Sequence, residues 1–200
     1  MERELTRTVR RRSRVKASIP KRIIYINGPI TQKTFIQVAV ALITMDEEGR
    51  EPIAVIIGHS HGGSATAGIM IYNLLKNAIS PVVTFVREYA ASSAFQIFLA
   101  GQERFMLHES RIAPHKAEMV VVGGTYDEDD LKNLWQRDAE YNKRWYKVAC
   151  EATGKSAKVI KELYDAGDRL GSRDALQWKL ATEVMSQKQF DDHFKIYFKK

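Results

Sequence analysis

The stretch AVIIGHSHGGSATAG, residues 54–68, decides the fold of this chain. It begins as a continuous apolar run, which is typical of a strand buried on both faces. It then passes through two glycines to Ser64, a residue suited to cap a following helix. Two more apolar runs, RIIYING at residues 22–28 and PVVTFV at residues 81–86, lie on either side of it. Because helical patterns separate these runs, they predict βαβ units with right-handed crossovers, and we expect an α/β fold.

The second half of the chain predicts one long helix, residues 127–154. Its first turn, DEDD, is acidic, and the helix dipole stabilises negative charge at an N-terminus. Apolar residues, two tryptophans among them, recur on one stripe of this helix. They are Leu131, Leu134, Trp135, Tyr141, Trp145, Val148 and Ala152. The stripe could belong to the core or to a subunit interface, where aromatic residues concentrate. Shorter helices are predicted around residues 158–166 and 172–181 and near the C-terminus.

The positive charge of the chain is concentrated at its N-terminus. The formal net charge of the 200 residues is +7. Residues 1–22 hold nine Lys or Arg and two Glu, whereas the remaining 178 residues carry equal numbers of basic and acidic groups. We therefore predict a basic arm, residues 1–21, followed by one domain, residues 22–200. A nucleic-acid-binding domain usually carries its basic face on the folded body, so we do not expect a nucleic acid as a partner.

Cysteine content and hydropathy favour the cytoplasm. The one cysteine, Cys150, cannot form an internal disulfide, which suits a reducing compartment. No apolar run approaches the ~18 residues of a membrane span. The N-terminus also lacks the apolar segment of a secretory signal. We expect a cytoplasmic protein with no membrane partner.

Residues 58–62, GHSHG, fit the pattern G-x-S-x-G of the nucleophile elbow in α/β-hydrolases. Such an elbow needs several strands ahead of its serine, but only one βαβ unit fits between the arm and Ser60. The double glycine also follows Ser60 instead of forming an oxyanion loop ahead of it. We therefore do not expect Ser60 to be a nucleophile.

Residues 152–156, ATGKS, imitate the end of a phosphate-binding P-loop. The full pattern requires a glycine at position 149, where this chain has Ala149. We expect Gly154 to end one helix and Ser156 to begin the next. No ATP site is predicted.

His59 and His61 form an H-x-H pair, a spacing that can begin a metal site. No cysteine or carboxylate lies nearby in the sequence to complete the set of ligands. The sequence therefore predicts no metal and no cofactor.

Five segments, taken in order, carry a resemblance to a known family. They are RIIYINGPI (22–30), GHSHGGSATAG (58–68), YAASSAF (89–95), SRIAPH (110–115) and ATGKSAKVI (152–160). Together they resemble the proteolytic subunit of the Clp protease, a self-compartmentalised serine peptidase, from residue 22 to about residue 185. In the second segment, His59 and His61 replace the family's Asn and Pro. The resemblance implies a crotonase/ClpP-like α/β superhelix of repeated βαβ units, with residues 127–154 as a protruding handle helix.

The resemblance also implies the roles of four site residues. Ser92 would be the nucleophile, at a helix N-terminus where the dipole favours developing negative charge. His115 would be its general base. The backbone N–H groups of Gly63 and Ser93 would bind the oxyanion of the tetrahedral intermediate. Glycine at position 63 would let the backbone approach the substrate without a Cβ atom.

The acid of the triad is the open point of this resemblance. A gapless alignment with the family places Gly167 where the catalytic aspartate would be, with Asp168 one residue later and Asp165 two residues earlier. We predict that Asp168 orients His115, and the alternatives are Asp165 or a site with no acid. Loss of the acid's role costs about 10⁴ in kcat in a Ser-His-Asp triad. The choice therefore separates an enzyme from an inactive relative.

By the resemblance, this chain is a serine endopeptidase that works through an acyl-enzyme. The family assembles into stacked rings, heptameric in the relatives it resembles, and receives unfolded polypeptides from a separate Clp-type AAA+ ATPase. The aromatic stripe of the handle helix would lie between the rings, with the basic arm near the axial entrance. The rival interpretations are a catalytically inactive ring subunit and an acyl-CoA enzyme of the crotonase fold.

Overall fold

Parallel strands and covering helices alternate along the chain, as predicted. The computed structural model describes residues 22–117 and 123–194. The strands are β1 (Arg22–Ile26), β2 (Ile53–Ser60), β3 (Val82–Ala91), β4 (Glu103–Leu107), β5 (Arg111–Ala113), β6 (Leu170–Gly171) and β7 (Glu183–Met185). The helices are α1 (Gln32–Glu48), α2 (Ala65–Lys76), α3 (Ser93–Phe98), α4 (Glu128–Thr153), α5 (Ala157–Ala166), α6 (Ser172–Gln177) and α7 (Gln187–Phe194). The basic arm, residues 1–21, lies outside the described residues, so the arm and its boundary stay predictions.

The sheet topology brings the carboxyl ends of three strands together at one edge of the sheet. The sheet runs in the order β1-β2-β3-β4-β7, and each neighbouring pair is parallel. β5 pairs in parallel with the last residues of β3, and β6 runs antiparallel beside β5. The carboxyl ends of β2, β3 and β5 therefore meet. Open α/β sheets bind their ligands outside the carboxyl ends of their strands, so this edge is where a site is expected.

The apolar run of β2 is continuous because both of its faces are buried. Ile53, Val55 and Ile57 point to the larger core under α1, α2 and α3. Ala54 and Ile56 point the other way, to a second core that α7 covers. All five side chains are fully buried. A strand buried on both faces shows no alternation of polar and apolar residues, which is the pattern that the sequence has.

Helix α4 divides into a packed half and an exposed half. Asp127 caps its start and Gly154, in the left-handed conformation, ends it, so the predicted boundaries are confirmed. Near the C-terminal end, Trp145 is only 1% exposed and belongs to the core of its own chain. Near the N-terminal end, Trp135 is 67% exposed. The predicted interface role of Trp145 is therefore wrong, because its ring already packs in the core of its own chain.

Two features of the fold were not apparent from the sequence. Strands β6 and β7 have two and three residues, which is too short for any periodicity to show. Helix α1 is apolar on more than one side: Val38 and Leu42 pack on the sheet, whereas its opposite side is about half exposed. That exposed side carries Ile36, Val40 and Ile43. Among the helices in the described parts of the chain, none is long and apolar enough to cross a membrane.

Candidate active site

Ser92 occupies a strained turn between β3 and α3. Its φ is 53° and its ψ is −127°, and Lys179 is the other described residue besides glycine with a positive φ. Such a conformation costs on the order of 1–3 kcal/mol and persists where the surrounding structure enforces it. The N–H of Ser92 donates to the carbonyl of Ala113 (3.1 Å), and the residue is 8% exposed. A serine on a strained turn from strand to helix is also the arrangement of the nucleophile elbow in α/β-hydrolases.

Of the two glycines at positions 62 and 63, Gly62 lies directly against Ser92 and Gly63 lies against Ile30. A Cβ atom on Gly62 would lie 2.6 Å from the Cβ of Ser92, and one on Gly63 would lie 2.4 Å from the carbonyl oxygen of Ile30. Both glycines also have positive φ values, 92° and 149°, which side chains with a Cβ rarely adopt. These glycines lie in a short loop, residues 61–64, which we call the glycine loop. It is fixed because Ile30 donates its N–H to the carbonyl of Gly62 and accepts at its own carbonyl from the N–H of Ser64. Glycine is therefore required at both positions.

Two backbone donors beside Ser92 are available to an anion. Within the described residues, the N–H groups of Gly63 and Ser93 donate to no protein acceptor. Ser93 begins α3, and the first N–H groups of a helix have no partner in the helix itself. These donors are the two that the sequence analysis assigned to the oxyanion. Whether both face one substrate atom stays a prediction.

The pairing of β5 with β3 brings His115 toward Ser92. Ala91 pairs with Ala113 at the end of both strands, and His115 follows two residues later. The ring of His115 makes a 2.7 Å hydrogen bond from Nδ1 to the carbonyl of Lys116. Because a carbonyl only accepts, Nδ1 carries a proton, and in the neutral ring the lone pair is then on Nε2. This is the tautomer that a general base of a triad needs.

Asp168 makes no hydrogen bond to His115 in the described part of the chain. In the antiparallel pairing of β5 with β6, Ile112 faces Leu170. If this register continued past the end of β5, Asp168 would lie opposite Pro114, next to His115. Within residues 22–117 and 123–194, no hydrogen bond joins the carboxylate of Asp168 to the imidazole. The predicted role of Asp168 therefore stays a prediction.

Asp165 is held by two lysines. One carboxylate oxygen lies 2.9 Å from Nζ of Lys116, and the other contacts Nζ of Lys161. The hydrogen bonds from Lys161 and then from Lys116 lower the pKa of the Asp165 carboxyl. With both oxygens engaged, Asp165 restrains Lys116, whose carbonyl accepts from His115. This role of Lys116 could not be predicted from the sequence, because a contact made by a backbone carbonyl leaves no side-chain pattern.

Ser60 and the ATGKS segment have structural roles. Ser60 is fully buried, and its Oγ accepts from the N–H of Gly62 (3.2 Å), so it supports the glycine loop. Gly154 ends α4, and the side chain of Ser156 caps α5, as predicted.

Comparisons with known proteins bear on the fold and the family of this chain. The family model described as Clp protease matches residues 7–188. A single-substitution variant of ClpP1 from Listeria monocytogenes is similar in structure, with a TM-score of 0.75 and 23% identity over 84% of this chain and 93% of that chain. ClpP1 from the same organism gives a TM-score of 0.71 and 24% identity over 84% of this chain and 94% of that one. The predicted ClpP-like α/β fold is therefore confirmed, and this chain belongs to the Clp protease family.

Proposed function

We propose that this chain is a serine endopeptidase subunit whose nucleophile is Ser92. One observation carries the proposal: Ser92 lies on a strained strand-to-helix turn, in contact with a glycine loop and beside two unpaired backbone donors. Strain of this kind is retained where function requires it. Membership of a protease family supports the same conclusion.

The proposed reaction uses three groups on neighbouring strand ends. His115 Nε2 takes the proton of the Ser92 hydroxyl as Oγ attacks the carbonyl carbon of a peptide bond. The carbonyl oxygen becomes an oxyanion, which accepts from the N–H groups of Gly63 and Ser93. The intermediate collapses, the C–N bond breaks, and the leaving amine receives the proton from the imidazolium. Water then hydrolyses the acyl-enzyme by the same sequence of proton transfers.

The orientation of His115 is the step on which turnover depends. The Lys116 carbonyl holds the required tautomer but carries no full negative charge to stabilise an imidazolium. We keep Asp168 as the proposed acid, because it precedes β6 by two residues and β6 pairs with β5, the strand that leads to His115. For Asp168 to act, the Nδ1–H of His115 has to leave the Lys116 carbonyl. Asp165 is the weaker candidate, because both of its oxygens already bind lysines.

A catalytically inactive ring subunit is the second candidate. The specific observation in its favour is that neither Asp165 nor Asp168 bonds to His115 within the described residues. Such a subunit would keep the fold and the assembly surfaces but lack turnover.

Exposed apolar side chains support the proposal that copies of this chain assemble. Trp135 and Leu131 are exposed on the N-terminal half of α4, and Ile36, Val40 and Ile43 form an exposed strip on α1. Patches of this kind mark protein–protein contacts. We propose stacked rings, heptameric by resemblance, that receive unfolded polypeptides from a Clp-type AAA+ ATPase. The single cysteine fits the proposed cytoplasmic location.

Hydrolysis of a fluorogenic peptide tests the proposed function. The wild type should cleave the peptide, and Ser92→Ala should lose all measurable turnover, while Ser60→Ala retains most of it. A wild type that assembles but never cleaves, with or without a Clp-type ATPase, would favour the inactive subunit. Equal turnover in wild type and Ser92→Ala would contradict the assignment of the nucleophile.

A further inference from the structure

The two histidines that precede the glycine loop face each other. His59 Nε2 and His61 Nε2 are 3.2 Å apart, and their rings meet edge to face with centroids 5.0 Å apart. His59 and His61 are exposed while Ser60 between them is buried, so both imidazoles lie on the same side of the chain. The side chain of His59 is 49% exposed. Two imidazole nitrogens therefore converge at a solvent-accessible point.

The separation of these nitrogens matches that of two ligands on one metal ion. A Zn–N bond is about 2.0–2.1 Å, so two histidines on a tetrahedral ion have nitrogens about 3.3 Å apart. Imidazole is a good ligand for Zn²⁺, Cu²⁺ and Ni²⁺. An ion can thus take the place of the proton between His59 and His61 at nearly the same separation of the two nitrogens.

A carboxylate lies close to Nδ1 of His59, the ring nitrogen that does not face His61. Oε2 of Glu88 lies 3.6 Å from His59 Nδ1. A neighbouring carboxylate favours the tautomer with the proton on Nδ1, which leaves the Nε2 lone pair for a metal. Glu88 and His59 are far apart in the sequence. They come together because β2 and β3 are neighbouring strands, in which His59 pairs with Tyr89, the residue after Glu88. The carboxylate beside His59 therefore comes from the pairing of β2 with β3 and not from its neighbours in the sequence.

Aromatic packing restrains both imidazoles. The ring of Tyr89 lies 5.7 Å from the ring of His59 and 5.1 Å from that of His61, measured between centroids. The guanidinium of Arg169 lies over the same tyrosine, 5.6 Å from its centroid. Rings held by a common neighbour lose less conformational entropy when they bind an ion.

We propose that His59 and His61 bind one divalent transition-metal ion, with Zn²⁺ and Cu²⁺ as the favoured ions, and that Glu88 orients His59. The described residues contain no cluster of three or more metal-ligating side chains. Water therefore completes the coordination, and the ion exchanges with solvent. Because His61 directly precedes Gly62, a bound ion would also fix the entrance to the glycine loop. The proposal does not depend on peptidase activity.

Isothermal titration calorimetry with Zn²⁺ at near-neutral pH tests the site on the full chain. The wild type should bind one ion per chain. His59→Asn and His61→Asn should each weaken binding at least about tenfold, and Glu88→Gln should weaken it roughly 10–100-fold, as loss of an outer-shell partner does. The matched control is His108→Asn, which removes an exposed histidine that lies outside the pair, and it should leave the affinity unchanged. Circular dichroism checks that each variant is folded.

Cu²⁺ provides a second, spectroscopic measurement. The electron paramagnetic resonance spectrum of Cu²⁺ bound to the wild type should show hyperfine coupling to two nitrogens, and His61→Asn should reduce it to one. The proposal is overturned if the wild type binds Zn²⁺ no tighter than the double variant His59→Asn/His61→Asn. It is also overturned if His108→Asn weakens binding as much as either member of the pair does.

Discussion

At the scale of single residues, the site depends on how closely Gly62 approaches Ser92. The sequence identified the glycine pair through its motif, but the reason for glycine is visible only in the folded chain. A Cβ at position 62 would collide with the Cβ of Ser92 and approach the carbonyl oxygen of Ala91 to 2.8 Å. The loop and the serine therefore have to shift together if that space is filled.

Gly62→Ala should lower the free energy of unfolding by about 2–4 kcal/mol, as strain and overpacking together do. It should also abolish reaction at Ser92. The matched control is Gly28→Ala: Gly28 has a similar φ of 79° but open space where a Cβ would lie. That variant should lose only about 1–2 kcal/mol from backbone strain. Urea denaturation measures both, and equal losses would show that the contact with Ser92 is unimportant.

The acid is the residue-scale question that the sequence could not answer. Asp168→Asn should reduce peptide turnover by orders of magnitude, toward the 10⁴ that loss of a triad acid costs. Asp165→Asn should reduce it far less, since Asp165 acts on His115 only by restraining Lys116. Steady-state kinetics compares the two. The reverse ranking would transfer the role to Asp165, and unchanged turnover in both would show that the Lys116 carbonyl suffices.

At the scale of secondary-structure elements, long apolar segments were predictable from the sequence, whereas the pairings of short strands were not. The length of strand β2 is recognisable in the sequence, as are the length and the two capping residues of helix α4. Strands β6 and β7 exist because β5 and β4 offer hydrogen-bonding partners to them. The same limit applies to the site: Glu88 reaches His59 only through the register of β2 with β3. Contacts that depend on tertiary pairing leave no local signal in the sequence.

Asp46 links the end of α1 to the turn before β3. Its carboxylate accepts from the backbone N–H groups of Ile79 and Ser80 and from the Ser80 hydroxyl. Burial alone would raise the pKa of Asp46, but these hydrogen bonds and the charge of Arg22 outweigh it, and the pKa is lowered. A lowered folded-state pKa means that the ionised carboxylate stabilises the fold above the unfolded pKa of about 3.9.

Asp46→Asn should therefore cost about 1–2 kcal/mol of unfolding free energy at neutral pH. The difference from the wild type should shrink as the pH falls through the folded-state pKa, because the wild-type carboxyl is then protonated as well. Denaturant titrations over a range of acidic pH measure this. Glu47→Gln, an exposed neighbour on the same helix, serves as the control and should change little. A difference that is constant with pH would contradict the electrostatic explanation.

At the scale of the whole molecule, α4 is about 39 Å long for its 26 residues, and its N-terminal half is solvent-exposed in the single chain. The sequence showed one aromatic stripe on α4. It could not show which of its residues belong to the core and which to an interface, because both environments favour the same apolar residues. Burial separates them: Trp145 belongs to the core, and Trp135 is free to contact another copy.

Trp135→Glu should split the proposed assembly into smaller particles without unfolding the chain. A buried aromatic can carry 2 kcal/mol or more of an interface, as a rough guide. Light scattering measures the mass. Gln136→Glu adds the same charge one residue away and should leave the assembly intact. Deleting the basic arm, residues 1–21, should also leave it intact. An unchanged mass for Trp135→Glu would exclude the exposed half of α4 from the interface.

The central claim is that Ser92 is an activated nucleophile, and covalent labelling tests it most directly. A fluorophosphonate reacts only with a serine whose base and oxyanion donors are in place, and intact mass followed by peptide mapping locates the adduct. The account predicts one adduct per wild-type chain, on the peptide that contains Ser92. It predicts none in Ser92→Ala and an undiminished adduct in Ser60→Ala. An adduct that persists in Ser92→Ala and disappears in Ser60→Ala would contradict the account.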